Sequence, residues 1–212
     1  MTLPVIVIGG GGHAKVLIDV LRLNGIEIFG IAVSNDSLKG QLLSGIRVIG
    51  NDNDIFMFHP DSVSLLNGIG SIGLPTKRED IFNQFQNKGF RFVNIIHPSA
   101  IVASDVTLGN GVQIMAGTII QPGSRIGTNT ILNTKASVDH DCIIGDHVHL
   151  APGVTLSGGV TVGTGVHIGT GATVIQGVHI GDRSLIGAGS IVLKNVSQGS
   201  KIMSIHAREG RL

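Results

Sequence analysis

The sequence has no tryptophan and no tyrosine, and aromatic residues fill only 3% of its 212 positions. That excludes a core built around large rings; the buried volume must be packed from many small aliphatic side chains. Charge is scarce as well, at 14% where about a quarter is usual, and the formal net charge is +1. A balance so near zero leaves no electrostatic footprint for nucleic acid or for an anionic membrane surface, so neither is an expected partner. The single cysteine, Cys142, excludes an internal disulfide and fits a reducing compartment. No apolar run approaches the length that spans a bilayer. The opening MTLPVIVIGG has no basic stretch ahead of its apolar residues and reads as a strand, not a secretory signal. The expectation is a soluble, cytoplasmic protein.

Glycine, by contrast, is abundant, and the two halves of the chain use it differently. Val5-Ile6-Val7-Ile8 is a continuous apolar run, as in a parallel strand buried on both faces. Gly9 to Gly12 make a turn after it. His13 to Asn24 reads as a helix with Val16, Leu17, Val20 and Leu21 on one stripe. Glu27 to Val33 is a second strand and Ser64 to Gly68 a third; a helix follows from Lys77 to Lys88, and Phe90 to Ile95 closes the unit. Alternating β and α elements predict a parallel sheet with right-handed crossovers, a Rossmann-like α/β domain over 1–96. Gly9, Gly11 and Ala14 fit G-x-G-x-x-A, a dinucleotide fingerprint between strand and helix. The acidic residue that would confirm a dinucleotide at the end of the second strand is absent, since Val33 and Ser34 stand there. A phosphate at the helix N-terminus is the reading that survives.

The second half, 97–212, is a repeat. From Val106 to Ser190 every sixth residue is small or β-branched, and two residues after each comes an aliphatic one, from Leu108 to Val192, without a break in phase. Period six is the hexapeptide signature of a parallel β-helix, three hexads to a triangular coil of eighteen residues, five coils in all. Gly109, Gly127, Gly145, Gly163 and Gly181 recur every eighteen, which predicts one corner with positive φ. Cys142 falls on an inward position and reads as core, not as a nucleophile.

Three segments in fixed order carry a family resemblance: GGGGHAKVLIDVL after VIVI, IIHPSAIVA at the junction, and LNTKASVDHDCIIGD in the repeat. Together they resemble the sugar O- or N-acetyltransferases of the hexapeptide-repeat class, which include sialic acid O-acetyltransferase and UDP-N-acetylbacillosamine N-acetyltransferase. The resemblance covers essentially the whole chain. It implies a left-handed β-helix, a homotrimer, and acetyl-CoA lying in a groove between subunits, with no metal. It implies that His140, which follows Asn133-Thr134 and precedes Asp141, is the general base. It places His149 at the thioester or the cofactor, and Gly158, Gly169, Thr170 and Ala188 along the cofactor. The nucleotide-sugar acceptor, a UDP-4-amino-4,6-dideoxy sugar, would meet Gly11, Gly12, His13, Val33, Ser34, Gly70 and Ser71. Two departures stand out. UDP-binding members often carry Asp-Asp after the second strand where this chain has Val33-Ser34. The family tail of Gly-x-Pro-Ala-basic is matched by Ser204-Ile205-His206-Ala207-Arg208, without the glycine and proline.

The chemistry of these residue types agrees with the resemblance. VDHDCIIGDHVHL, residues 138–150, holds three histidines and three aspartates in a segment that is otherwise small or aliphatic. Acetyl transfer to an amine needs a base, and histidine titrates near about 6.5. A carboxylate can orient the ring and stabilise its charged form. Adjacent residues of one strand point to opposite faces, so Asp141 reaches His140 only at a corner; otherwise the carboxylate comes from another chain. His147 and His167 are expected on a solvated outer face. Three readings compete: O-acetylation of sialic acid or another sugar hydroxyl, which uses the same base; a metal-dependent β-helix lyase or carbonic anhydrase, whose histidine spacing differs; and a non-catalytic nucleotide-sensing subunit.

Overall fold

The computed structural model describes residues 3–204. Its first part is a five-stranded sheet. Strand β1 (Val5–Ile8) leads through helix α1 (Gly12–Leu23) to β2 (Ile28–Ala32); a hairpin of β3 (Leu42–Leu43) and β4 (Ile46–Gly50) follows, then the short helix α2 (Asp52–Ile55), β5 (Ser64–Asn67) and helix α3 (Thr76–Gln86). The strand order is β3-β4-β2-β1-β5, parallel except for the β3–β4 hairpin. All four residues of β1 are buried, as a central strand covered on both sides requires. Helix α1 buries Ala14, Leu17, Ile18, Val20 and Leu21. Val16, expected on that stripe, is instead exposed and faces a cleft.

The order reverses at β1, with β2 on one side and β5 on the other. Loops leaving the carboxyl ends of β1, β2 and β5 therefore diverge around a crevice, the usual ligand position in an open α/β sheet.

The rest is a left-handed parallel β-helix of two-residue strands. One face holds six strands, from Ile101–Val102 to Ile191–Val192; the second holds five, from Thr107–Leu108 to His179–Ile180; the third holds seven, from β6 (Ile95–Ile96) to Lys201–Ile202. Paired residues are eighteen apart, as Ile119 with Ser137 or His149 with His167. The prism is thus one coil longer than the hexads alone indicate, roughly 29 Å at a strand spacing of about 4.8 Å. The two positions of each hexad singled out above fill its interior: Val112, Ile114, Val138, Leu150, Val154 and Ile168 are fully buried, and so is Cys142. Inward hydroxyls satisfy themselves locally, as Ser124 Oγ donates to the Asp139 carbonyl at 2.9 Å.

The glycines spaced by eighteen do not have positive φ. They are small because the coils touch there: a Cβ on Gly127 would lie 2.4 Å from the carbonyl carbon of Gly145. The left-handed residues come two positions later in each hexad, and the set includes Asn129, Lys135, Asp141, His147 and Arg183.

Candidate active site

The α/β domain leans on the third face of the prism through a layer of buried polar side chains. Asn67, Arg78, Gln113, Asn129, His147 and His149 are all buried. Gln113 Nε2 donates to the Asn67 carbonyl at 2.8 Å, and its Oε1 lies 2.7 Å from His13 Nε2. The first contact fixes the amide orientation, because a carbonyl only accepts; His13 Nε2 therefore carries the ring hydrogen and Nδ1 the lone pair. Burial, followed by the nearby Arg78 charge, pushes the His13 pKa down to about 4 against the raising effect of Gln113. His13 is thus a neutral acceptor, suited to a sugar hydroxyl or amine rather than to a phosphate oxygen.

Above this layer lies a cleft of about 660 Å³. It gathers Gly11, Gly12 and His13 from the first loop, Val33 and Ser34 after β2, Gly70 and Ser71 after β5, and Asn133 and His149 from the prism. Seven acceptor residues expected from three separate stretches of sequence therefore line one space. Val16, Ile72 and Lys77 line it too. His149 Nδ1 lies 2.8 Å from the Ser71 hydroxyl and 3.2 Å from its carbonyl, and Nε2 lies 3.2 Å from the Asn133 amide nitrogen. Burial, then His167, His13 and Arg78, depress the His149 pKa to about 3.

His140 and Asp141 are elsewhere. They sit on the corner between the first and second faces, opposite the third face that carries His149. Asp141 adopts φ 58° at the turn, and this lets adjacent residues converge: His140 Nδ1 is 2.8 Å from Asp141 Oδ2. The corner is the reason the two meet; a straight strand would part them. The bond to Asp141, foremost, raises the His140 pKa. Both side chains are exposed, and Nε2 is directed outward over Gly158, one coil further along the same column. A Cβ on Gly158 would lie 2.5 Å from that Nε2.

Gly169, Thr170 and Ala188 lie on Asn133's corner, between the third and first faces. Gly169 is two coils beyond Asn133 in one column, and a Cβ there would lie 2.6 Å from the Ala188 nitrogen. Thr170 and Ala188 are exposed in the neighbouring column. The structure thus sorts the expected residues into two groups: the cleft with Asn133, His149, Gly169, Thr170 and Ala188 on one side, and His140, Asp141 and Gly158 on another. Ile205 to Arg208 of the tail lie outside the described residues.

The expectation of a solvated His147 is overturned. The α/β domain covers it, Phe82 meets its ring edge-on at 5.6 Å between centroids, and Asn129 Nδ2 lies 2.9 Å from its Nδ1. His167 is half-buried, and its Nδ1 is shielded without a protein partner. Sequence reasoning missed the polar layer of Asn67, Arg78, Gln113 and Asn129. One signal was available: Arg78, Phe82 and Phe85 follow helical spacing on the buried face of α3. Among the described residues no group of three or more His, Cys, Asp or Glu side chains could hold a metal ion, and no helix is long and apolar enough to cross a membrane.

A Rossmann-like cleft docked on a hexapeptide β-helix with a His–Asp pair at a corner defines a hexapeptide-repeat acyltransferase. Residues 4–85 match the PglD N-terminal domain, and 123–158 match the bacterial transferase hexapeptide (six repeats). A variant of GDP-perosamine N-acetyltransferase from Caulobacter crescentus, solved with CoA and GDP-perosamine, is 39% identical with a TM-score of 0.86, over 93% of this chain and 92% of that one. The acetyltransferase domain of PglB from Neisseria gonorrhoeae FA1090, in complex with acetyl coenzyme A, is 31% identical with a TM-score of 0.86, over 95% and 96%. Among curated relatives, the GDP-perosamine N-acetyltransferase of Escherichia coli O157:H7 is 28% identical over 158 residues, 73% of this chain and 70% of that protein. The uncharacterized protein L142 of Acanthamoeba polyphaga mimivirus is 34% identical over 132 residues, 62% of this chain, and the match spans a quarter of that longer protein. The chain belongs to the acetyl-CoA-dependent, hexapeptide-repeat sugar acetyltransferases.

Proposed function

We propose that this protein transfers the acetyl group of acetyl-CoA to the amine of a nucleoside-diphosphate-linked 4-amino-4,6-dideoxy sugar, with His140 as general base. The observation that carries the reading is the His140–Asp141 pair. Its bonded Nδ1 leaves Nε2 free on an exposed corner, ready to take a proton. The amine nitrogen attacks the thioester carbonyl carbon, a C–N bond forms, the C–S bond breaks, and CoA leaves as the thiol. The proton shed by nitrogen passes to His140 Nε2, Asp141 stabilises the imidazolium, and the imidazolium then gives that proton to the departing sulfur, which makes the thiol and restores the base. Gly158 keeps the space beside that nitrogen open.

The acceptor cleft and His140 lie on different sides of one prism, which supports a homotrimer with each site between two subunits. One chain brings the cleft, with Asn133 and His149; its neighbour brings His140. Acetyl-CoA would run between them past Gly169, Thr170 and Ala188, where small residues allow close backbone approach.

Guanosine is favoured over uridine as the base. Two relatives act on GDP-perosamine by name, and Val33 and Ser34 line this cleft where a uracil-reading Asp pair is expected from the resemblance. The test is release of free CoA from acetyl-CoA with GDP-linked and UDP-linked 4-amino sugars and with sialic acid. Release with the GDP-linked amine, lost in His140→Ala, supports the reading. Release with the UDP-linked amine alone reverses the base preference, and release with sialic acid alone replaces N-acetylation by O-acetylation.

A further inference from the structure

Among the described residues Arg78 is the most deeply buried cation, and no carboxylate pairs with it. Such a charge is costly to hold in a protein interior. It also stands in the first turn of α3, the end of a helix that repels cations. Carbonyls alone satisfy it. Nη1 donates to Asn67 O at 2.7 Å and to Ile69 O at 2.8 Å, and Nε and Nη2 both reach Asn129 O at 3.4 Å. Asn67 and Ile69 frame the loop that leaves β5 to line the cleft. A trans peptide points its C=O and the next N–H in opposite directions, and the described chain has no cis bond. With the Ile69 carbonyl turned down to Arg78, the Gly70 N–H is turned away from it, and Gly70 itself lines the cleft. Among the described residues no acceptor takes that N–H.

We propose that Arg78 is the positioning residue of the acceptor cleft: by holding the Ile69 carbonyl from below it aims the Gly70 N–H at a diphosphate, and it places an unpaired positive charge beneath that anion. This rests on the nucleotide-sugar reading above. The assignment separates Arg78 from a mere tie between two domains, because a tie has no preference for phosphate. It also requires the planar fork: a lysine keeps the charge but cannot hold two loop carbonyls and Asn129 together.

The experiment is calorimetric titration of GDP and of guanosine into the full-length protein and its Arg78→Lys variant. Melting temperature and the two KM values are measured alongside. The variant is expected to lose at least about tenfold in GDP affinity, the scale of one charge-assisted hydrogen bond. Guanosine affinity and the KM for acetyl-CoA stay as in the parent protein, and the KM for the nucleotide sugar rises with kcat kept. Gly70→Pro removes the same N–H with Arg78 left in place, its added Cβ standing 3.3 Å from the His13 Cβ; it is expected to show the same selective loss, and it carries the test if Arg78→Lys does not fold. A folded variant that binds GDP like the parent, or loses GDP and guanosine affinity equally, overturns the assignment. If the parent protein binds no nucleoside diphosphate, GDP or UDP, the nucleotide-sugar reading itself fails.

Discussion

The Asn133 side chain donates to His149 Nε2 at 3.2 Å, its own oxygen being committed to the Thr134 N–H at 2.8 Å. The Ser71 carbonyl, 3.2 Å from Nδ1, can only accept, so the ring hydrogen is on Nδ1. Both nitrogens are engaged and the ring is neutral down to about pH 3. His149 therefore links the acceptor loop to the prism, and its geometry assigns it to positioning and not to proton transfer. His149→Ala is expected to lower kcat/KM for the acceptor about tenfold, through lost hydrogen bonds, while the acid limb of the pH–rate profile stays in place. A displaced acid limb would make His149 the titrating group.

His140 behaves in the opposite sense. Its pKa is raised, foremost by the bond to Asp141, against the lowering effect of burial and with lesser help from the charges of Asp139 and Asp141. A base works only when deprotonated, so the proposed role predicts that activity falls as pH drops through that raised value. Asp141→Asn removes the largest raising cause; the acid limb should move to lower pH while the plateau rate drops. His140→Ala should cost about 10²–10⁴ in kcat, the usual range for a general base, with acetyl-CoA affinity kept. Steady-state rates between pH 5 and 9 decide both, and an acid limb that stays put in Asp141→Asn would detach the carboxylate from the base.

Gly158→Ala tests the space beside that base. The added methyl would lie 2.5 Å from His140 Nε2, the far end of an exposed side chain that can swing aside. Gly158 is buried beneath that ring, so stability should fall by about 1 kcal/mol, the common size for a single substitution, while turnover should fall far more steeply because the ring is displaced. A loss of stability well beyond that, in step with the rate, would show that Gly158 serves the coil and not the base.

The prism was legible because its rule is local: one small residue and one aliphatic residue per hexad recur from Val106 to Val192 whatever else the coil carries. The ends were not. Ile95–Ile96 and Lys201–Ile202 pair into the third face without the full pattern, since an end strand needs only one neighbour. The cleft residues could be named from their loops, but their convergence depends on the strand order reversing at β1. Gln113 and Asn129 were invisible for a different reason. Each occupies an ordinary outward or turn position of the repeat, and only the docking of α1, β5 and α3, a long way back in sequence, buries them.

The coil glycines make a stability prediction that separates space from backbone conformation. Gly127→Ala would put a methyl 2.4 Å from the Gly145 carbonyl carbon, where backbone must shift; a loss of about 1–3 kcal/mol or more is expected from such overpacking. Gly153 has nothing within 4 Å of its Cβ position but a φ of 69°, so Gly153→Ala should cost only about 1–2 kcal/mol from the left-handed backbone. Thermal denaturation of the two variants orders them, and a milder effect at Gly127 would show that the coils separate more easily than their contact suggests.

The separation of the cleft from His140 makes the subunit arrangement testable by mixing. Gly11 lines the cleft, has φ −80°, which any residue tolerates, and has open space where a Cβ would stand. Gly11→Phe should therefore fill the acceptor space with the fold intact, and on its own it should be inactive, as should His140→Ala. Co-expressed, the two chains are expected to form trimers in which one subunit's intact His140 faces a neighbour's intact cleft. For random assembly around a three-fold axis about a quarter of the sites combine both, so about a quarter of the parent activity is expected to return. If base and cleft acted from the same chain, every subunit would carry one defect and no mixture would recover activity. Light scattering on the same sample should give a mass near three chains; a mass near one chain would leave the cleft without a base.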